Sequence, residues 1–324
     1  MLYADSDLLT DLAYVVMDEV HYLADRFRGA VWEEVIIHLS ERVKLISLSA
    51  TVSNAEEFGD WLQAVRGDTD VMVDLFDSSG RAATNRVNPE LVQLAKAGGY
   101  SQGQGRRGRK HPSRWQSHRG RDEGRMSRAE IVQLLDGKNL LPAIFFIFSR
   151  MGCDQAVRQV LRSGVRLTDA HEREEIRQIV EERCRTLRDD DLAVLGYWEW
   201  LDGLQRGVAA HHAGLLPAFK EVVEELFQKK LLKVVFATET LALGINMPAR
   251  TVVLEKLEKF NGEARVPITP GEYTQLTGRA GRRRIDVEGH SVIQWTSGLD
   301  PQAVASLASR RSYPLNSSFR PTYN

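Results

Sequence analysis

Short apolar runs of strand length, each closing on polar residues, recur along this chain and are followed by stretches of helical spacing. They are Tyr14–Met17, Val43–Leu48, Ala143–Phe148, Leu231–Phe236, Thr251–Leu254 and Ser291–Trp295, with Val71–Val73 as a shorter case. Continuous apolar runs of this length suit parallel strands buried on both faces, and their alternation with helices predicts an α/β fold on parallel sheets. The alternation breaks once. Gly98-Gly99 opens a low-complexity segment running to Arg128 with hardly an aliphatic residue, too poor in apolar surface to offset chain entropy, so disorder is expected there. The pattern predicts two α/β lobes joined by a basic disordered tether.

The length of 324 residues leaves room for two domains of the usual ~100–200 residues. Net charge is only −1, yet nine Lys/Arg stand against two acids between Tyr100 and Arg128. A nucleic-acid partner is thus indicated by local charge and not by the global balance. No run of 18 apolar residues exists, and the N-terminus carries Asp5 and Asp7 where a signal peptide would carry positive charge. Cys153 and Cys184 have neither metal-ligand nor disulfide-framework spacing. Together these predict a cytoplasmic protein with no membrane partner.

In open parallel sheets, ligands sit beyond the carboxyl ends of the strands. Tyr14–Met17 ends in Asp18-Glu19-Val20-His21, where an Asp can hold Mg²⁺ through water and the adjacent Glu can polarise a water; the alternative is two acids capping the next helix. Val43–Leu48 runs into Ser49-Ala50-Thr51, which either senses those acids or caps a helix near Asn54. Adjacent His211 and His212 close another short strand, with no Cys or acid nearby to complete a zinc site. Leu231–Phe236 leads to Thr238-Glu239-Thr240 and on through Gly244 and Asn246 to Pro248, a turn able to offer amides and hydroxyls to phosphate or ribose. Thr269-Pro270 starts the helix carrying Gln275. At its end lie Gly278, Arg279, Gly281, Arg282, Arg283 and Arg284, either a solvated basic face or a phosphate-binding edge whose glycines permit close packing. In the tether, Arg106, Arg107, Arg109 and Trp115 could grip a single strand by phosphate contact and stacking, or simply be solvated. Arg166–Arg188 reads as an amphipathic helix with Ile176, Ile179 and Cys184 inward, anchored by Trp198 and Trp200.

In this order the motifs resemble those of the superfamily-two DEVH-box RNA helicases of the superkiller type, including actinobacterial members. Asp18–His21 resembles motif II, Ser49–Thr51 motif III, Phe148-Ser149 motif IV, Thr238–Pro248 motif V and Gln275–Arg283 motif VI. The resemblance implies two RecA-like lobes holding ATP and Mg²⁺ in the cleft between them, with single-stranded RNA or DNA running across both. It suggests RNA-degradation machinery as a partner. Asp18 would coordinate Mg²⁺ through water and Glu19 activate the attacking water. His21, Ser49 and Thr51 would couple hydrolysis to lobe movement, and Ser149 and Thr238 would touch the nucleic-acid backbone. Gly244 and Asn246 would lie near the nucleotide, with Gln275, Arg279 and Arg282 facing its phosphates and Arg282 as the arginine finger.

Three departures from that pattern shape the expectations. No Gly-x-x-x-x-Gly-Lys-Ser/Thr occurs; the nearest fragment is Asp136-Gly-Lys138-Asn139. Leu75-Phe-Asp77 stands where relatives carry an extended segment, and Arg284 replaces a glycine beside the finger. The resemblance therefore suggests an N-terminally truncated helicase with an incomplete first lobe over 1–77, a linker over 78–137, a second lobe over 138–298 and the start of a downstream domain over 299–324. Isolated ATPase activity is expected to be weak or absent, and the alternative is a non-catalytic nucleic-acid-binding fragment.

Overall fold

The computed structural model describes residues 9, 11–24, 29–49, 54–67, 69–71, 89–90, 92–93, 126–185, 187–242, 247–260, 263–282, 285–296, 299–309 and 317. The chain forms two compact units, one of Met1–Arg86 with Ala305–Asn324 and the other of Val87–Val304.

In the first unit, β1 (Tyr14–Met17) pairs in parallel with β2 (Lys44–Ser47), Tyr14 opposite Lys44 and Met17 opposite Ser47. Between them runs α1 (Gly29–His38), and α2 (Ala55–Arg66) follows. Strand alternation sends Val15, Met17 and Leu45 onto a core that includes Val20, Leu23, Ile36 and Leu62, with Trp32, Phe58 and Trp61 packed around it. The other face of this pair carries Tyr14, Val16 and Ile46, all exposed. Gly59 on α2 is required by close approach, since a Cβ there would lie 2.1 Å from Val71 Cγ2. Arg66 closes the end of α1, donating to the carbonyls of Leu39, Ser40 and Val43.

The second unit is organised on a five-stranded sheet in the order β4-β5-β3-β6-β9, every neighbouring pair parallel. Its strands are β3 (Ala143–Phe146), β4 (Val208–His211), β5 (Val234–Ala237), β6 (Thr251–Leu254) and β9 (His290–Ile293). Every residue of β3 to β6 is buried, which is why these strands stand out as unbroken apolar runs. The helices are α3 (Arg128–Gly137), α4 (Arg150–Arg162), α5 (Ala170–Cys184), α6 (Asp189–Val194), α7 (Tyr197–Gln205), α8 (Pro217–Gln228), α9 (Pro270–Thr277) and α10 (Pro301–Ser309), the last reaching past the unit's end at Val304. A small antiparallel hairpin, β7 (Glu258–Phe260) with β8 (Arg265–Pro267), sits between β6 and α9. Capping boxes start three helices, at Ser127 with Glu130, Asp169 with Glu172, and Thr269 with Glu272. Burial and the neighbouring Asp154 carboxylate push the Cys153 thiol up to about 12, so it packs as a small hydrophobe.

Several expectations change here. The linker drawn to residue 137 is corrected at its far end: α3 is helical and buries Ile131, Val132 and Leu135 in the core of the second unit. Its first residue, Arg128, forms a bidentate pair with the buried Glu255, at 2.6 and 2.8 Å. On α5 the inward positions are Ile176, Val180 and Cys184, so Val180 replaces Ile179. Trp198 is 64 % exposed and anchors nothing; buried Tyr197 takes that place, and Trp200 stacks on Phe219 with ring centroids 3.9 Å apart. Asp136–Asn139 closes α3 instead of opening a helix, with Lys138 N–H donating to Leu134 O, so the fragment presents helix carbonyls, the wrong pole for phosphate. Val71 is not in a strand, and residues 72 and 73, the Leu75–Asp77 segment and most of the tether fall outside the described residues.

Phe236→Ala, which removes the ring at 4.9 Å from Phe145, is expected to cost ~3–5 kcal/mol in urea unfolding. Trp198→Ala is expected to cost under about 1 kcal/mol in the same measurement.

Candidate functional site

The acids that end β1 enter a sharp turn. Glu19 takes φ +54°, an unusual left-handed conformation for a residue with a side chain. Its N–H donates to Asp18 Oδ1 at 2.9 Å, and Asp18 is exposed. Two backbone bonds fix the turn against the segment after β2: Leu48 N–H to Met17 O and Val20 N–H to Leu48 O, both 2.9 Å. That lashing brings His21 to Glu19 and Ser49, with Nδ1 at 3.2 Å from Glu19 Oε2 and 3.4 Å from Ser49 Oγ. Burial lowers the His21 pKa, and the Glu19 and Asp18 carboxylates oppose that only in part. The lowered pKa favours the neutral imidazole at neutral pH, its Nδ1 facing both the Glu19 carboxylate and the Ser49 hydroxyl. Four of the predicted residues thus form one cluster; Thr51 lies outside the described residues.

In the second unit the predicted residues separate to opposite edges of the sheet. Ser149 follows β3 and Thr238 follows β5, both at the carboxyl edge, and Thr238 N–H donates to His211 O at the end of β4. Ser149 Oγ accepts from Gly152 N–H at 3.2 Å and caps α4; Thr238 Oγ1 lies 2.9 Å from Thr240 Oγ1. At the amino edge, the chain after α9 pairs with the residues leading into β6. Ala249 N–H donates to Arg279 O at 2.9 Å and Gly281 N–H to Ala249 O at 2.8 Å. Gly281 has φ +91°, and a Cβ on it would meet Gly289 Cα at 3.1 Å, so both backbone angle and close approach demand glycine.

The arginines here are already engaged. Arg279 donates to Ala242 O. Arg282 holds Asp286 through Nε and Nη2, each at 2.7 Å, and its own N–H donates to the same carboxylate at 3.0 Å. The Asp286 side chain is only 4 % exposed, with Arg250 Nε 3.9 Å away. Hydrogen bonds from the Arg282 guanidinium hold the Asp286 carboxyl down to about 2, against burial that pushes it up. Around this pair Arg250, Arg282, Ile285, Asp286 and His290 line a pocket of about 390 Å³. Gln275 Nε2 is buried without a hydrogen-bond partner among the described residues. Gly244, Asn246, Arg283, Arg284, Arg106, Arg107, Arg109 and Trp115 lie outside the described residues.

Some polar contacts were not foreseen. Asp286 stands four residues after Arg282, an ordinary helical pair spacing that could have flagged it. His211 Nε2 meets Glu224 Oε1 at 2.8 Å, and His212 Nε2 meets Asp154 Oδ1 at 3.0 Å while its Nδ1 accepts Gly214 N–H at 3.1 Å. Those acids come from α8 and α4, so no local spacing announces them.

Comparison with known proteins places the chain in a family. A family model of the DEAD/DEAH box helicases matches residues 1–58, and one of the helicase conserved C-terminal domain matches residues 179–284. Over 352 residues the chain is 56 % identical to the "Probable helicase HelY" of Mycobacterium leprae, a match covering all of this chain and 38 % of that protein. It is 36 % identical to mouse "Superkiller complex protein 2" and 33 % identical to human "Exosome RNA helicase MTR4", again over all of this chain and over 28 % and 32 % of theirs. The chain belongs to the superfamily-two helicases of the superkiller type, and it spans well under half the length of these relatives.

Asp286→Asn leaves the Arg282 charge without its counterion, and a loss of about 2 kcal/mol is expected, the equivalent of the fall of the carboxyl from 3.8 to about 2. The native carboxyl is depressed, so its stabilisation is present above the unfolded pKa and fades as pH falls toward about 2. Calorimetry from pH 6 to pH 2 should show that acid-side loss in the native chain, with the corresponding contribution gone from the variant.

Proposed function

We propose that this chain works as an ATP-dependent RNA helicase of the DEVH type, coupling hydrolysis to strand translocation or unwinding. The observation that carries the reading is the Glu19–His21–Ser49 cluster, where the acid proposed to activate water shares one imidazole with the hydroxyl after the next strand. Movement of either segment would alter the close contact between the imidazole and the Glu19 carboxylate. RNA is favoured over DNA as the strand because relatives at 33 % and 37 % identity are named as RNA helicases.

The donor set fits ATP and Mg²⁺. Asp18 is an exposed carboxylate with one oxygen on Glu19 N–H, leaving the other for a hydrated ion. Bound Mg²⁺ would neutralise charge on phosphate oxygens. Glu19 would then orient a water, and Gln275, with an unpartnered buried amide nitrogen, would reach phosphate along with Arg279 and Arg282. Gly244 and Asn246 are proposed beside the nucleotide and Thr51 with Ser49 in coupling. Ser149, Thr238 and the tether residues Arg106, Arg107, Arg109 and Trp115 are proposed on the strand. RNA-degradation machinery is the proposed partner, from the exosome and superkiller names of two relatives. A cytoplasmic setting is proposed from the two unpaired, buried cysteines; among the described residues no helix is long and apolar enough to cross a membrane.

Weak turnover by the chain alone is proposed because no Gly-x-x-x-x-Gly-Lys-Ser/Thr occurs in this sequence. The chain with fluorescent single-stranded RNA is expected to bind with a steep salt dependence, and ATP hydrolysis with and without RNA to stay near background. No RNA binding at low salt would sink the helicase reading. Strong RNA-stimulated hydrolysis abolished by Glu19→Gln would support that reading and overturn the expectation of weak activity.

A further inference from the structure

Lys259 projects from β7 of the small hairpin and is only 21 % exposed. Its Nζ lies 2.9 Å from Glu239 Oε2 and 2.5 Å from Glu272 Oε1. Those two carboxylates belong to elements with different proposed tasks. Glu239 starts a short 3-10 turn, Glu239–Ala242, directly after Thr238 at the carboxyl edge of the sheet. Glu272 stands in the first turn of α9, where its other oxygen accepts Thr269 N–H at 2.6 Å in the capping box. At the far end of α9, Arg279 donates to Ala242 O, the last carbonyl of the same 3-10 turn. The turn is therefore bound to both ends of one helix, by Lys259 at its start and by Arg279 at its finish. Burial pulls the Lys259 pKa down, but the two carboxylates outweigh it and raise the value, so the ammonium stays charged.

We propose that Lys259 is a positioning residue that fixes the Thr238–Ala242 turn to helix α9 so that Thr238 is held ready for the nucleic-acid strand. This rests on the reading of Thr238 as a strand contact. Two negative partners satisfy the Lys259 ammonium, so it acts through Thr238 and not by touching a phosphate itself. The turn depends on such a brace because its internal support is slight: Leu241 N–H donates to Thr238 O at 3.1 Å, and a 3-10 turn of four residues has little cooperativity of its own.

The test has two arms on the whole chain with Lys259→Met, Lys259→Arg, Glu239→Gln and the double variant Lys259→Met with Glu239→Gln. Hydrogen exchange followed by mass spectrometry reads the brace without any ligand. Lys259→Met should speed exchange roughly three- to tenfold in both the 238–242 turn and the first turn of α9, Lys259→Arg should restore much of the protection, and the double variant should add little to the single one. Fluorescence anisotropy with a labelled single-stranded oligouridylate reads the consequence. Affinity should fall by a similar factor in Lys259→Met, recover in Lys259→Arg, and keep the native slope of log affinity against log salt. Unchanged exchange in Lys259→Met overturns the brace. Altered exchange with native affinity makes Lys259 purely structural and overturns the positioning role. A slope shallower by about one in Lys259→Met would make the lysine a direct phosphate contact, which also overturns it. If Lys259→Met does not fold, Glu239→Gln carries both arms with the same expected and overturning results. Failure of the native chain to bind the oligonucleotide, with the brace intact by exchange, removes the reading of Thr238 and this inference with it.

Discussion

The parallel register of β3 constrains the rest of the second unit. It is hydrogen-bonded on both sides, to β5 and β6, and its Ala143, Ile144, Phe145 and Phe146 are all fully buried. A strand in that position leaves no room for chemistry along its length, because a polar side chain on either face would be buried without a partner. Function is pushed to the ends. The strands are four residues long, about 13 Å at the usual rise per residue, so the two edges of the sheet lie far enough apart for separate tasks. Ser149 and Thr238 occupy one edge and Arg282 the other, while Arg279, whose backbone pairs with Ala249 at the amino edge, reaches with its side chain to Ala242 O in the turn after Thr238; the segment between β5 and β6 has to pass from the first edge to the second. That makes the Thr238–Pro248 stretch a physical link between the edges as well as a motif.

Charge in the second unit is largely pre-paired. Arg128 takes Glu255, Arg282 takes Asp286, and Lys259 takes both Glu239 and Glu272. A buried pair adds little net stability over an apolar isostere, yet losing one member is expensive. Such pairs therefore hold geometry more than they hold the fold. In the first unit the equivalent economy is local: one neutral imidazole serves Glu19 and Ser49, and the left-handed backbone at Glu19 is kept in place by bonds from the neighbouring turn.

The strands and helix starts were legible because their signals are local. Ala143–Phe148 and Leu231–Phe236 announce buried strands by unbroken apolarity, and Thr269-Pro270 with Glu272 announces α9 by its cap. The acid turn and Ser49 were legible too, since each sits where a strand must end. Contacts made across the chain were not. Arg128 and Glu255 are 127 residues apart, and nothing near Arg128 separates a paired arginine from the eight other basic residues of its segment. Ile131–Leu135 does announce itself as ordered by its apolar residues, so the linker bound at 137 overlaps a helix that the local pattern already marks. Two tryptophans two residues apart say nothing of which faces the core; the direction of α7 turns Tyr197 inward and leaves its larger neighbour Trp198 in solvent. The arginine cluster was recognised, but its electrostatic state was not, because the carboxylate that sets it had no role in the motif.

That carboxylate changes what it means for Arg282 to be available. A guanidinium fork filled by two 2.7 Å bonds cannot simply gain an anion; it can only exchange one. Whatever displaces Asp286 is weighed against a singly charged, nearly dry competitor, so the gain is the difference between two salt bridges and not the whole of either. An isolated carboxylate would find that difference close to nil, whereas a more highly charged group would find it large. Arg250 Nε lies 3.9 Å from the same carboxylate and is the nearest other cation for it. Any anion proposed to reach Arg282 would therefore have to outcompete one aspartate placed four residues downstream.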